Sequence, residues 1–375
     1  MASLVPARLA ALPWRVISLI LGLGLFGTAV LYSAANGSMS PWATPHLIQL
    51  AVFLAMALMI RLVRLDILRL IAIPAYVGCL LLLILVEVIG QVGGGSQRWL
   101  DVGPITIQPS ELMKIALILL FARYYEQLPP AQTATRMGLV VPAAAMVVPA
   151  VLILIQPDLD AALVLVVAGA AIMFLGGVPL RVFGIGAVGA AVLAPLAYFF
   201  VLEPYQQTRL IGFLDPESDP LGTGYHVIQS KIAIGSGGFF GKGFLNGSQA
   251  HLDYLPEHHT DLIFATMFEE WGLVGGAAVL LAFWFLLRWA RGVAARSQSR
   301  FGRLAASGMQ VALFLYVAMN MLTATGLAPV MGIPLPLMSH GGSAMMTVLM
   351  AIGILMAIEC SDVRGRRSAS GLVPA

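Results

Sequence analysis

Long apolar runs separated by short polar connections constrain the fold of this chain more than any other feature of its sequence. A helix needs about 20 largely apolar residues to cross a bilayer. Only 10% of the residues are charged, against roughly 25% in soluble domains, so a water-soluble fold is excluded. The sequence predicts an all-α, polytopic membrane protein with one membrane domain over residues 1–375. About ten transmembrane helices are expected, near residues 14–33, 45–62, 67–90, 107–125, 137–155, 159–178, 181–202, 261–288, 304–325 and 343–360.

The basic residues are distributed unequally between the two ends of these predicted helices. If the N-terminus is cytoplasmic, most of the 21 lysines and arginines lie on the inner side, as the positive-inside rule requires. This orientation predicts that both termini are cytoplasmic. A minority of the basic residues, which includes every lysine, lies on the outer side: Arg98, Lys114, Arg209, Lys231 and Lys242. All six histidines also map there, so the polar chemistry is predicted to face outward.

One connection, residues 203–260, is much longer than the others and is predicted to form a large extracytoplasmic loop. Within it, residues 225–234 place apolar side chains among polar ones, a pattern typical of a short amphipathic helix on a membrane surface. That helix would bring Gln229 and Lys231 close to the lipid headgroups. Glycine-rich stretches at residues 235–238 and 241–243 are expected to end it.

Two short motifs around the start of the fourth predicted span carry charged residues. Arg98 and Trp99 lie in a short outer loop. The arginine is a candidate phosphate ligand, whereas the tryptophan is either a cavity residue or an ordinary interfacial anchor. Glu111 and Lys114 share a helix face and form either a self-neutralising ion pair or a functional site, the usual role of an ionisable residue within a membrane. Glu87, in the preceding span, is expected to reach the same depth.

Asp158 and residues 251–261 supply further acids on the outer side. Asp158 follows a proline in a tight turn, where an aspartate is also ordinary turn chemistry. Residues 251–261 combine histidines with acids, but their spacing matches no metal-binding motif, so a dedicated metal site is not predicted. Asp261 or Thr260 is alternatively the N-cap of the eighth span.

Two segments place charged side chains or irregular backbone within the predicted membrane region. Glu269 and Glu270 lie inside the eighth predicted span, where a charge requires a partner or a hydrated cavity. Residues 332–343, between the last two spans, are rich in proline and glycine. Irregular backbone at that depth is tolerated only where it is buried or lines a cavity. This segment is therefore predicted to form a wall of the site.

Taken together, these motifs resemble the SEDS (shape, elongation, division and sporulation) family of membrane glycosyltransferases. Residues 332–337 and 236–247 resemble the elongation branch (RodA type) more than the division branch (FtsW type). The chain departs from the family pattern at Asp160, Ala161 and His340, which affects the local backbone rather than the reaction. The resemblance is carried by residues 97–100, 108–116, 156–159, 213–216, 222–238, 241–243, 255–261 and 334–343.

The resemblance implies a GT-C-like fold and a peptidoglycan glycosyltransferase active in cell elongation and rod-shape maintenance. Its substrate would be lipid II, polymerised into glycan strands on the outer face of the bacterial cytoplasmic membrane. The transfer would be inverting, with undecaprenyl pyrophosphate as the leaving group. A divalent cation, Mg²⁺ or Mn²⁺, is implied with the lipid pyrophosphate, and no organic cofactor. The implied partners are membrane lipids, polyprenyl-linked glycan, the elongation complex and a class B penicillin-binding protein that acts as a transpeptidase.

The resemblance also implies roles for particular residues. Asp261 is the implied catalytic base, because it ends the family motif Pro-Glu-x-His-Thr-Asp at residues 256–261. The five outer basic residues are candidates for the pyrophosphate. The predicted substrate-binding set is completed by Trp99, Glu111, Asp158, Gln229, Glu257, His259, Ser339 and Ser343.

Other classes of function stay open at the level of sequence. A flippase for the lipid-linked precursor needs polar residues along its whole path and broken helices in repeated positions, whereas the inner halves of these helices are nearly uncharged. An O-antigen ligase or polymerase shares the membrane plan without this motif set, and the division-type paralogue shares both. A pure scaffold needs neither Asp261 nor the outer lysines. The net charge of only +3, with arginines between apolar runs, argues against a nucleic-acid partner.

Overall fold

The chain folds into a bundle of helices with one small sheet near one end of the bundle. The computed structural model describes residues 12–93, 96–102, 105–200, 202, 204–215, 223–252, 254–255 and 257–369. The ends of the chain, Gly222 and three motif residues (Asp253, Pro256 and Pro216) lie outside the described residues. The prediction of an all-α membrane protein is confirmed, since helices make up nearly all of the regular structure described.

Each of the predicted spans overlaps one long helix. The long helices are α1 (Trp14–Ala34), α2 (Ala43–Ile60), α3 (Leu65–Ile89), α4 (Pro109–Gln127), α5 (Arg136–Ile155), α6 (Leu159–Gly176), α7 (Leu180–Phe200), α11 (Ile263–Arg296), α12 (Arg300–Ala324) and α13 (Gly342–Ala369). Within the described ranges, eight of them are long and apolar enough to cross a membrane, namely α1, α2, α3, α5, α6, α11, α12 and α13. α7 has a shorter apolar segment, Leu180–Leu196, and α4 carries charged residues at both ends.

Local sequence signals explain where several helices begin and end. Pro109 occupies the first turn of α4, where its missing N–H costs little. The Asp158 side chain caps α6 by accepting a hydrogen bond from the Ala161 N–H at 3.2 Å. Gly177, with φ of 108°, ends α6 in the left-handed conformation that favours glycine. Asp158 and Pro109 thereby fix the facing ends of α6 and α4.

A three-stranded antiparallel sheet connects α3 to α4, a region that the sequence predicted as a short loop. Its strands are β1 (Gln91–Gly93), β2 (Ser96–Val102) and β3 (Ile105–Ile107), in the order β1-β2-β3. Leu100 pairs with Ile107, and Gln91 pairs with Trp99. The sheet holds Arg98 and Trp99 on a fixed strand rather than on a loop.

The long connection between α7 and α11 is largely helical. It contains α8 (Pro204–Leu214), α9 (Thr223–Gly237) and α10 (Ser248–His251), of which α9 corresponds to the predicted amphipathic helix. α9 continues to Gly237 instead of ending before residue 235. It also packs against α11 and α12, with Val227, Ser230 and Ala233 buried. One side of α9 therefore contacts protein, and its predicted place on the membrane surface stays a prediction.

The core of the bundle surrounds α4. This helix packs against α3, α6 and α12, and most of its residues are buried, including both Glu111 and Lys114. At the opposite end of the bundle from the sheet, Arg69 of α3 forms an ion pair with Glu126 of α4 at 2.9 Å. The central helix is thus tied to its neighbours at both ends.

Candidate active site

Two irregular segments meet where α11 begins, and Asp261 lies at their junction. The Ser339 hydroxyl donates a hydrogen bond to the Thr260 carbonyl at 2.7 Å, and the His340 N–H donates to the His259 carbonyl at 3.0 Å. The Asn320 side-chain amide donates to the carbonyls of Asp261 and Ile333, each at 2.9 Å. The predicted wall segment, residues 332–343, therefore fixes the backbone that carries Asp261.

The N-cap alternative for this motif is wrong. α11 begins at Ile263, and its N-cap position is Leu262, which makes no side-chain capping bond. The Thr260 hydroxyl instead donates to the Glu257 carboxylate at 2.8 Å. Asp261 is left without a capping role.

A second carboxylate, that of Asp160, lies next to Asp261. Asp160 accepts a hydrogen bond from the Gly332 N–H at 2.8 Å. A Cβ at Gly332 would lie 3.7 Å from Asp160 Oδ2 and 3.9 Å from Asp261 Oδ2, so the two carboxylates flank the same glycine. Among the described residues, no side-chain donor hydrogen-bonds to the Asp261 carboxylate, whereas Asp160 is held by the backbone.

The surroundings of Asp261 keep its carboxyl ready to accept a proton near neutral pH. Burial, followed by the negative charges of Glu257 and Asp160, raises the pKa of Asp261 to about 7, although Arg209 and Arg98 lower it. A general base works best when its pKa lies near the operating pH. Perturbed pKa values of this kind are typical of functional sites.

Two of the basic residues that were predicted to lie on the outer side line one small cavity beside these carboxylates. The cavity, of about 90 Å³, is bounded by Arg98, Arg209, Asp160, Gln206, Pro157 and Val330. Arg209 donates to the Val330 carbonyl at 3.4 Å. Arg98 is mostly buried, and its Nε is one of the buried side-chain nitrogens that lack a hydrogen-bond partner among the described residues. A donor in that state suits an anionic ligand.

Asp158 positions Arg98 and also connects three elements. Its Oδ1 lies 3.5 Å from an Arg98 guanidinium nitrogen, and its Oδ2 accepts a hydrogen bond from the Gln108 side chain at 2.6 Å. The Gln108 N–H in turn donates to the Ser343 hydroxyl at 3.0 Å. Asp158 thus has the turn role, because one oxygen caps α6, and its carboxylate also faces Arg98; its predicted contact with substrate stays a prediction.

His259 and Glu257 lie at the exposed edge of the Asp261 segment. The His259 ring stacks on Trp42 with a centroid distance of 4.3 Å. Burial lowers the pKa of His259 to about 4, so the ring is neutral at pH 7. Glu257 adopts φ of 51° and has its carboxylate 4.0 Å from His259 Nε2. Both residues belong to the border of the site rather than its floor.

Glu111 and Lys114 form a buried pair at 2.6 Å, below the Asp158 cluster. The Tyr316 hydroxyl donates to the other Glu111 oxygen, and the Lys114 ammonium lies 4.7 Å from the centre of the Tyr316 ring. Glu87, expected at the same depth, is exposed, so it does not join the buried Glu111 and Lys114 pair. The role of Lys114 toward substrate stays a prediction.

The remaining outer basic residues lie in other surroundings. Lys242 forms an ion pair with the fully buried Glu269 at 2.6 Å. Lys231 is an exposed residue of α9. Its aliphatic chain packs against Gly326, where an added Cβ would lie 2.3 Å from the Lys231 Cε. Gln229 is half-buried on the same helix. Their predicted substrate contacts are untested, and none of the three lines the Arg98 and Arg209 cavity.

A larger cavity of about 570 Å³ opens beside Trp99 and Ser343. Its walls are largely apolar and come from α2, the sheet and the start of α13; they include Ile48, Val52 and Phe53. Trp99 therefore lines a cavity, one of the two roles considered for it. The volume lies within the range of typical small-molecule sites.

The described residues contain no group of three or more His, Cys, Asp or Glu side chains placed to hold a metal ion. Asp160 and Asp261 are near each other, but they do not make a complete ligand set. A divalent cation would therefore need further oxygen ligands from a bound substrate.

Sequence reasoning missed two residues that shape this site. Asp160 was noted only as a departure from a pattern, yet its position two residues after Asp158, at the same helix end, already signalled a shared location. Asn320 is a buried polar residue near the end of an apolar span, and such residues usually have a structural or functional partner.

Comparison with known proteins gives consistent matches. The family model described as "Cell cycle protein", which covers FtsW, RodA and SpoVE, matches residues 10–363. The peptidoglycan glycosyltransferase MrdB of Escherichia coli is 44% identical over 286 residues, 76% of each chain.

Solved structures with related folds agree with these matches. A chain from a peptidoglycan synthase complex that coordinates polymerisation and crosslinking is 33% identical, with a TM-score of 0.80 over 94% of this chain and 98% of that one. The rod shape determining protein RodA of Thermus thermophilus is 27% identical, with a TM-score of 0.70 over 94% of this chain and 98% of the other.

Proposed function

The chain belongs to the FtsW, RodA and SpoVE family of cell cycle proteins and is a peptidoglycan glycosyltransferase, and we propose that it polymerises lipid II into glycan strands. The family assignment from sequence is thereby confirmed. The substrate, the side of the membrane and the roles of individual residues are our proposals, and they rest on the geometry around Asp261.

Asp261 is the general base of the proposed transfer. The 4-hydroxyl of the acceptor sugar attacks the anomeric carbon of the growing chain, and its proton passes to the Asp261 carboxylate. The bond between the anomeric carbon and the pyrophosphate oxygen breaks with inversion. Undecaprenyl pyrophosphate leaves with the bonding electrons, and Arg98 and Arg209 bind its negative charge. Arginine is suited to this role because its planar fork can bind phosphate oxygens in a bidentate manner.

The single observation that carries this proposal is the placement of Asp261 beside two arginines without a direct ion pair. A carboxylate that is bonded to a cation loses basicity, whereas Asp261 has a raised pKa of about 7. The two arginines line a cavity that Asp160 also borders. Base and anion-binding groups are thus separate but adjacent, as an inverting transfer between two bound sugars requires.

The apolar cavity beside Trp99 provides space for a polyprenyl tail. Ile48, Val52 and Phe53 line it, and Ser343 connects it to the Asp158 cluster through Gln108. We assign one lipid tail to this groove, with its pyrophosphate directed toward Arg98. A divalent cation, Mg²⁺ or Mn²⁺, would bind mainly through pyrophosphate oxygens, with Asp160 as the nearest protein carboxylate.

We further propose that the site faces outward and that the enzyme acts with a class B penicillin-binding protein in the elongation complex. The relative in a peptidoglycan synthase complex supports such a partner, and the similarity to MrdB and RodA supports elongation over the division-type alternative. Addition of the purified transpeptidase is expected to raise polymer yield from lipid II. An unchanged yield in a stable complex would contradict a stimulating partner.

The decisive experiment combines purified protein with labelled lipid II and resolves the products on a gel. Polymer is expected from the wild-type chain and not from Asp261→Asn. Proteoliposomes with fluorescent lipid II in one leaflet test the flippase alternative in parallel. Translocation without polymer in both assays would contradict the proposed activity and favour that alternative.

Orientation is tested with single cysteines in a background that lacks Cys79 and Cys360. Phe240→Cys is exposed near the proposed outer end, and Leu62→Cys is exposed at the opposite end of the bundle. A membrane-impermeant maleimide is expected to label the first in intact spheroplasts and the second only after lysis. The reverse pattern would place the site inside.

A further inference from the structure

A second polar cavity lies at the opposite end of the bundle from Asp261. It has a volume of about 380 Å³ and opens between the last turn of α11, the first turns of α12 and the end of α6. Asp261 precedes the first residue of α11, whereas this cavity adjoins the last residues of the same helix. The two sites are therefore separated by the length of a membrane-spanning helix.

Three arginines converge on this cavity, which we call the basic pocket: Arg291, Arg300 and Arg303. On α12, Arg300, Arg303 and Ser307 recur at intervals of three and four residues and so share one helix face. Gln310 continues that face by a further turn. The pocket thus presents guanidinium groups at its mouth, with hydroxyl and amide groups beyond them.

One of the three arginines is engaged by the protein itself. Arg300 donates to the carbonyls of Leu128 and Gly176, at 2.9 and 3.1 Å. These carbonyls lie at the C-terminal ends of α4 and α6, where unsatisfied acceptors and the helix dipoles favour a cation. Arg300 therefore has a structural role and holds the wall of the pocket in place.

The other two arginines are exposed, and no acid lines the basic pocket. The acids at this end of the described bundle are bonded elsewhere. Glu126 pairs with Arg69, and Glu359 pairs with Arg296. Asp362 accepts from the Gln298 N–H at 3.2 Å. The positive charge of Arg291 and Arg303 is consequently not neutralised within the pocket.

The wall beside these arginines is apolar. Leu175 and Leu304 line it together with the small residues Ala294 and Ala295. This end of the bundle adjoins the membrane surface, because α6 and α11 end there and α12 begins there. A ligand that matches both the arginines and the apolar wall carries an anionic phosphate next to an acyl chain. Basic pockets between transmembrane helices are known to bind such headgroups.

We propose that the basic pocket is a binding site for the phosphodiester headgroup of an anionic glycerophospholipid. Arg291 and Arg303 bind the phosphate oxygens, Ser307 and Gln310 hydrogen-bond to the glycerol region, and the Leu175 and Leu304 wall contacts the first part of an acyl chain. A free phosphate ion shares the charged part of this chemistry but not the apolar part.

The test measures lipid retention on the purified full chain by native mass spectrometry, with thermal stability as a second readout. Dioleoylphosphatidylglycerol, dioleoylphosphatidylcholine and inorganic phosphate are added separately. The wild type is expected to retain phosphatidylglycerol and to gain thermal stability from it, with little effect from the other two. Each arginine near an anionic lipid surface contributes about fivefold in affinity, so Arg291→Gln with Arg303→Gln should weaken phosphatidylglycerol binding by roughly 25-fold.

Arg288→Gln is the matched control. Arg288 lies on the same helix one turn before Arg291, but its guanidinium is over the Trp284 ring at 5.3 Å. Its substitution removes one charge, as Arg291→Gln alone does, and should leave retention unchanged because Arg288 does not line the basic pocket. If the double variant is unstable without lipid, Arg303→Gln and Arg303→Lys are compared instead; the glutamine variant should bind phosphatidylglycerol about fivefold more weakly, and the lysine variant should bind it nearly as well as the wild type.

Three results would overturn the proposal. The first is equal retention of phosphatidylglycerol and phosphatidylcholine by the wild type. The second is an equal loss in the Arg288→Gln control, which would indicate a general surface charge effect. The third is stabilisation by inorganic phosphate equal to that by phosphatidylglycerol, which would indicate a site for a small soluble anion. None of these readouts depends on polymerisation of lipid II.

Discussion

Two acidic regions lie close together in the chain but differ in how their carboxylates are satisfied. Glu269, inside α11, is bonded to the Lys242 ammonium at 2.6 Å, to the Ser248 hydroxyl at 3.0 Å and to the Gln249 N–H. Asp261, just before α11, has no such side-chain partner among the described residues. Buried charges are normally paired, so the exception is informative. Burial alone does not mark a candidate base, because Glu269 is buried and fully bonded, whereas Asp261 combines a raised pKa with the lack of a side-chain partner among the described residues.

The backbone around Glu269 shows how that region is held together. α11 is interrupted at Gly272, whose φ is 61°. The broken hydrogen-bond ladder is completed by the preceding loop, since the Lys242 N–H donates to the Glu269 carbonyl at 2.9 Å and the Leu273 N–H donates to the Gly238 carbonyl at 3.0 Å. A Cβ at Gly241 would lie 2.1 Å from the Glu270 carbonyl oxygen. The Glu269 and Lys242 pair therefore closes a tightly packed junction.

The largest effect is expected from Asp261→Asn. Loss of a general base typically lowers the rate 10²- to 10⁴-fold. Because the Asp261 side chain makes no stabilising bond to a described side chain, the melting temperature of the purified protein should stay close to that of the wild type. Polymer from labelled lipid II measures the first quantity and a thermal melt measures the second. Product at the wild-type level from a folded variant would remove Asp261 from the mechanism.

Glu269→Gln should produce the opposite pattern. Removal of one partner from a buried ion pair costs about 3 kcal/mol, so the melting temperature should fall clearly. Polymer formed per folded molecule should change much less, since Glu269 does not line either cavity near Asp261. Lys242→Met with Glu269→Gln is the control, because removal of both charges should recover part of the stability. A Glu269→Gln protein with a normal melting temperature and no polymer would contradict a purely structural role for Glu269.

Substitutions of Lys114 test whether the Glu111 cluster supports activity, as expected of Asp261, or stability, as expected of Glu269. Lys114→Ala should reduce polymerisation about tenfold, and Lys114→Arg should reduce it less, because arginine keeps a cation beside Glu111 and near the pyrophosphate. Turnover and lipid II binding are measured separately on folded protein. If neither substitution changes either quantity, the Glu111 and Lys114 pair is structural, as at Glu269, and the positive charge of the site comes from Arg98 and Arg209.

The helices were predictable because hydropathy is a local property, and each apolar run is long enough to fix one span. Asp261 and Asp158 could be chosen as candidates from the sequence, since the motifs that resemble the family are contiguous, and their roles stay predictions. Which cation pairs with which acid could not be predicted from the sequence. Arg98 comes from a sheet whose short strands resemble a glycine-rich loop, and Lys242 meets Glu269 only because residues 238–243 fill the break in α11. Both facts depend on tertiary packing, which no local pattern encodes.

The smallest predicted effect concerns pH. In the proposed mechanism Asp261 accepts a proton, which requires its deprotonated form, and its pKa is raised to about 7. The polymerisation rate should therefore rise with pH up to about 7 and level off above it. The negative charge of Glu257 contributes to the raised pKa, so Glu257→Gln should lower that pKa and move the rising limb toward acidic pH. The shift should be less than one pH unit, because Glu257 is exposed and water screens its charge.

Glu269→Gln provides the matched control for the pH experiment, since it removes an acid from the paired region and should leave the rising limb in place. Rates at saturating lipid II, measured at constant ionic strength, separate titration of the enzyme from effects of salt. A limb that stays fixed in Glu257→Gln, or one that moves equally in both variants, would mean that the group titrating near pH 7 is not Asp261. The difference between Asp261 and Glu269 would then be supported only by the activity and the stability of their variants.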